Sequence, residues 1–217
     1  MQSFKQVSAI ILGVLFVSFF LGRSITAQPN PIDYQWQEDL STFAEQLQAR
    51  HINLFHSISS EKFHSHVERL REMEHDLSPS EQRVALMRLA REIGDGHTAV
   101  PLWSDSIRRF PFEVSLIDHS VIVTGTTEAH IGLLGAELVS VNQVPVRDIQ
   151  SELEQIVPFV ENAYSLRVRT GLYFLVEDLL SGIGLATPGE PVELLFSQGE
   201  TEQSVEVTSI DQVAFEK

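Results

Sequence analysis

Apolar positions follow a helical period as far as Gly94 and a mostly strand-like one after Pro101. Ile32, Trp36, Leu40, Phe43 and Leu47 recur at spacings of three and four, which puts them on one stripe of an α-helix. His51 to His56 interrupts that period, and Ser59 or Ser60 then caps a second helix carrying Phe63, Val67 and Leu70. Ser78-Pro79-Ser80-Glu81 is a stronger start signal. Serine at the cap, proline at the first helical position and glutamate three residues after the cap each suit the free N–H groups of a helix start. The spacing therefore predicts a third helix from Pro79 to Ile93. Beyond Trp103, the period-two run Phe110, Phe112, Val114 and Leu116 predicts a strand that turns at Asp118-His119-Ser120 into Val121 to Thr124. Gly135 to Val146 reads as a strand, a turn centred on Asn142 and a short strand, ahead of a helix holding Ile149, Leu153 and Ile156. Val168, Leu172, Leu175, Leu179 and Ile183 predict one further helix with a single apolar face, ended by Gly182 and Gly184. Pro191 to Phe196 and Ser204 to Thr208 predict a closing hairpin, and Asp211 to Lys217 a frayed tail. The expected fold class is α+β, a three-helix cap followed by a β-rich module with inserted helices.

Composition narrows the setting. Lys5 precedes an uncharged run from Val7 to Gly22, and Ile25-Thr26-Ala27 stands before Gln28, the pattern of a secretory signal cut after a small residue. The run is shorter than the roughly 20 residues that span a bilayer, so membrane contact is expected only through an uncleaved signal segment. The 217 residues contain no cysteine, which excludes a disulfide framework and a lipid-modified cysteine. With 30 acidic against 15 basic side chains, nucleic acid is not an expected partner. The expected location is the periplasm or the extracellular medium.

Chemistry concentrates at Gly94-Asp95-Gly96-His97, a helix-to-strand corner with a titratable pair. Gly94 can take positive φ just past the helix end, and Gly96 allows a sharp turn without a side-chain clash. Asp95 and His97 can then face a common space, where a carboxylate fixes the tautomer and raises the basicity of an imidazole. A tight turn whose histidine caps or packs accounts for the same residues. Other candidates carry less. His64 and His66 lie two apart on a helix and point to different sides, so they do not chelate one ion. Ser59-Ser60-Glu61-Lys62 matches S-x-x-K at a helix start, where serine caps. No zinc pattern, phosphate loop or G-x-S-x-G is present, and neither metal nor cofactor is expected.

Trp36-Gln37-Glu38-Asp39-Leu40, the H-x-N-L-F of His51 to Phe55, Arg88-Leu89-Ala90 leading to Ile93-Gly94-Asp95-Gly96-His97-Thr98, and the run from Leu134 through Pro145 together resemble the N-terminal part of the tail-specific, or C-terminal-processing, serine peptidase family. The resemblance implies a helical cap followed by a PDZ-like module. Covering Trp36 to Thr208, it implies a cap ending in the G-D-G-H corner (36–103) and a PDZ-like domain (109–208), between the signal peptide (1–27) and linker (28–35) before them and the tail (209–217) after them that the residues themselves suggest. Gln143 departs from the glycine usual after asparagine in the family, and Ile52 from a common proline. Complete members continue into a domain carrying the nucleophilic serine, and this sequence has no such segment. His97 resembles the histidine that some branches supply upstream, so Asp95 and His97 are expected as half of a catalytic site without its nucleophile. Gly94, Gly96, Gly135 and Asn142 are expected as structural turns. The function implied is an exported, peptidase-related protein that binds an extended peptide or protein tail and is not a self-sufficient enzyme. The alternatives are a non-catalytic part of a tail-specific protease, active only with a separate serine-containing domain, and a structural envelope interaction protein.

Overall fold

The computed structural model describes residues 31–73, 76–102 and 107–215, and three helices come first among them. The expected signal segment, linker residues 28–30, the Ile32 side chain and Trp103 lie outside the described residues. Helix α1 (Pro31–Arg50) begins inside the segment expected as linker, because proline lacks only an N–H that a first helical turn leaves unpaired. Ser59 caps α2 (Ser60–Glu72) by accepting from the Lys62 N–H, which is the capping use of the S-x-x-K sequence. Ser78 and Glu81 form a reciprocal capping box on α3 (Pro79–Ile93). Trp36, Leu40, Phe63, Val67, Leu89 and Ile93 close the helical core.

Residues on a second face of α3, Val84 and Met87, belong to a different core, that of the sheet. Helix α3 therefore contributes side chains to both cores, the helical one and that of the sheet.

After β1 (Arg108–Arg109), the main sheet is antiparallel throughout: β2 (Phe112–Ile117), β3 (Ser120–Thr126), β4 (Glu137–Val141), β5 (Val144–Pro145), β6 (Val192–Gln198) and β7 (Thr201–Val207). Its order is β2-β3-β4-β6-β7, with β5 beside β4, so β2 and β7 are edges. A 3₁₀ helix (Glu128–Leu133), not anticipated from the sequence, links β3 to β4. Gly135, at φ 83°, brings the chain out of that link, and Asn142 and Gln143, at φ 47° and 67°, make the β4–β5 turn. Glutamine thus occupies a left-handed position where glycine would relieve strain. Asn142 holds the turn in place: its Oδ1 accepts from the Glu193 N–H and its Nδ2 donates to the Leu185 carbonyl, both at 2.8 Å.

Helix α4 (Val146–Leu153) buries Ile149 and Leu153 against the sheet. The single long helix expected over Val168 to Ile183 is instead two, α5 (Ala163–Tyr173) and α6 (Glu177–Gly182). Tertiary pairing breaks it. The Leu175 carbonyl accepts from the Phe110 N–H at 2.9 Å, and Val176 bridges Arg109, so residues 174–176 serve the sheet rather than a continuous helix. Val168 and Leu172, expected on a buried face, are about half exposed.

Within the expected frayed tail, the described residues form regular structure. β8 (Ile210–Asp211) pairs with β1, a short helix α7 (Gln212–Phe215) follows, and the Phe215 ring lies 5.3 Å from the Arg109 guanidinium carbon. Among the described residues no helix is long and apolar enough to cross a membrane.

Candidate functional site

Gly94 ends α3 at φ 85°, and its N–H donates to the Arg91 carbonyl. Gly96 has no positive φ; a methyl group there would instead lie 2.4 Å from Glu161 Cγ. Between them Asp95 faces inward and spends its carboxylate on the loop itself. Its Oδ1 accepts from the N–H groups of His97 (2.7 Å) and Thr98 (2.8 Å), and its Oδ2 from the Thr98 hydroxyl (2.9 Å).

The histidine that Asp95 pairs with is His51, 44 residues away, with Nε2 2.7 Å from Oδ2. The Asn53 N–H donates to His51 Nδ1, so Nδ1 is unprotonated and the Nε2–H donates to Asp95. The tautomer expected to be fixed on His97 is thus fixed on His51, which the sequence had offered only as part of the H-x-N-L-F run. His97 is exposed, and Asp95 meets its backbone rather than its ring. Elsewhere, His64 Nδ1 donates to the Ser60 carbonyl and His66 Nδ1 faces Glu92 at 3.1 Å, so the two share no ligand position.

Burial pushes the Asp95 carboxyl upward, but hydrogen bonds from His51, the His97 N–H and both Thr98 donors outweigh it and hold it well below the ordinary carboxylate range. The sign of the linkage follows. A carboxyl that binds its proton more weakly folded than unfolded adds stability above its unfolded pKa of about 3.9 and loses that contribution as pH falls below it. Asp95→Asn should therefore cost about 2 kcal/mol at pH 7, with the difference from wild type shrinking steadily below pH 4. Urea midpoints measured from pH 7 to pH 2 check this; a penalty independent of pH would mean the carboxylate charge is not what holds the corner.

A second site lies on the sheet. Val123 donates its N–H to Ala136 and accepts from Gly135, so its backbone groups turn toward β4. Val114 pairs with Val123, and Leu116 with Val121 in the same register, so both direct their N–H and C=O groups to the free side of β2. Beside that edge runs α5, and between them lies a cleft of 480 Å³ lined in part by Val114, Leu116, Tyr164, Arg167, Val168 and Leu172. Tyr164, Val168 and Leu172, spaced by four, form an exposed apolar stripe along the α5 wall. The i, i+4 spacing was visible in the sequence, though nothing there marked the stripe as open rather than buried. The other edge, β7, is exposed along most of its length and carries Glu202 and Glu206, the charged style of edge that discourages strand pairing.

No protein-family model and no curated protein matches the chain. Among solved structures, the crystal structure of a serine-to-alanine mutant of CPAF, a tail-specific-protease-like serine protease, is similar, with a TM-score of 0.57 and 15% identity. The match covers 84% of this chain and 35% of that one, so the chain spans about a third of its neighbour's length, and at this identity the likeness is one of fold.

Proposed function

We propose that this chain is an exported, peptidase-related protein that binds extended peptides along β2, the main sheet and α5 together acting as a PDZ-like module. One observation carries the reading: the backbone groups of Val114 and Leu116 turn to the free side of β2, across a cleft of mixed polarity from the exposed apolar stripe of α5. An added strand would gain main-chain hydrogen bonds from that edge and side-chain selectivity from Val168, Leu172 and Tyr164. The fold likeness to CPAF supports a protease-related setting. Fluorescence polarisation against an array of labelled peptides of about ten residues is the test. Saturable binding is expected, and Leu172→Asp should weaken it about tenfold by placing a charge on the apolar wall. No saturable binding to any peptide at millimolar protein would overturn the reading.

A second reading, the non-catalytic part of a tail-specific serine protease, draws support from the exposed His97 and the neighbour's longer chain. Peptide hydrolysis that appears only when a serine-containing domain is supplied separately would favour it.

A further inference from the structure

Strand addition at β2 meets an obstacle in the resting fold. Gly171 of α5 lies against the free edge itself: a methyl group there would sit 3.0 Å from the Val114 carbonyl oxygen and 3.4 Å from Ser115 Cα. Neighbouring strands lie about 4.8 Å apart, so a peptide paired to Val114 would need the space that the Gly171 backbone fills. Arg109 joins the two walls of the cleft. Its Nη1 donates to Glu113 Oε1 on β2 (3.2 Å) and its Nη2 to the Leu172 carbonyl on α5 (3.4 Å), while its Nε is buried without a partner. The two ends of α5 differ in how firmly they are held. Phe174, Leu175 and Val176 are fully buried after its last turn, and Leu175 is bonded to Phe110, whereas residues 161–164 at its start are exposed.

We infer that α5 is a gate on the peptide groove, a proposal that rests on the peptide reading above. At rest, Gly171 seats the helix on the Val114 carbonyl and Arg109 clasps the walls together. A peptide enters when α5 swings outward about residues 174–176, exchanging the Gly171 contact for main-chain bonds to Val114 and Leu116. Opening is fast and shallow where few groups are buried, which is the condition at the α5 N-terminus. The ligand's apparent affinity is then reduced by the fraction of open groove.

The chain has no cysteine, so Ala163→Cys at the start of α5 and His119→Cys in the β2–β3 turn can carry spin labels alone. The tightest peptide of the array should lengthen the label distance by about 5 Å, one strand spacing. Without peptide, Gly171→Ala should shift the distribution toward the longer distance, and Gly171→Ala and Arg109→Met should each tighten peptide binding about fivefold. An unchanged distance at peptide saturation, or weaker binding by both variants, would overturn the gate. Should no peptide bind, the functional reading fails by itself; the label distance in peptide-free Gly171→Ala still decides whether α5 opens, and an unchanged distance there sinks the gate too.

Discussion

Replacing Gly182 by alanine is expected to cost about 3 kcal/mol and to lower the thermal midpoint by roughly 10 °C. The methyl group would lie 2.4 Å from Val84 Cγ2 and 2.5 Å from the Ser80 carbonyl oxygen. Val84 can turn away, but the Ser80 carbonyl is helix backbone and moves only with α3. Around this contact Asp178 accepts from the Ser80 hydroxyl at 2.6 Å and from Arg83, so a displaced α6 loses those bonds as well. Because α3 contributes to both cores, the damage should reach the helical cap and the sheet together. Calorimetry on Gly182→Ala, with Gly132→Ala as a control whose added methyl meets nothing within 4 Å, checks the expectation. Equal midpoints for the two variants would mean that α3 and α6 do not pack as described.

The second large effect is expected at Glu177, the buried first residue of α6. Its Oε1 accepts from the Gly189 N–H at 2.9 Å and the Ser209 hydroxyl at 2.7 Å, and its Oε2 lies 3.6 Å from Arg108 Nε. One carboxylate therefore ties α6, the loop before β6, β1 and the segment leading to β8. Glu177→Ala would leave the Gly189 N–H and the buried Ser209 hydroxyl without this acceptor and Arg108 without its ion-pair partner, and a buried donor so stranded costs about 1 to 3 kcal/mol. A loss of about 3 kcal/mol is expected, with Glu177→Gln losing about 1 because its amide oxygen still accepts. Chemical unfolding of the three proteins measures it. A Glu177→Gln loss as large as that of Glu177→Ala would place the effect in the charge rather than in the hydrogen bonds.

What the sequence made legible was mostly local. Ser78-Pro79-Ser80-Glu81 announced α3, because a capping box acts within one turn and needs no distant partner. The hairpins of β2–β3 and β6–β7 were legible for the same reason: alternation and a short turn suffice. Asp95 was harder. Proximity in sequence suggested the His97 ring, yet the carboxylate was taken by the backbone two and three residues on and by His51, 44 residues back. The Asp-x-x-Thr pattern of Asp95 and Thr98 was the available signal, since short side chains at turns commonly bond nearby N–H groups. The break between α5 and α6 left no such mark. Val168, Leu172, Leu175, Leu179 and Ile183 fit one helical face, and the pairing of Phe110 with the Leu175 carbonyl and of Arg109 with Val176 divides them. That division also leaves Val168 and Leu172 half exposed beside β2.

The central claim, that β2 is where an extended peptide is held, is tested most directly by amide hydrogen exchange with and without a bound peptide. The account predicts that the Val114 and Leu116 amides, which face the free edge, gain protection when peptide binds. Protection that appears instead along β7 or in α1 to α3, with Val114 and Leu116 unchanged, would contradict it.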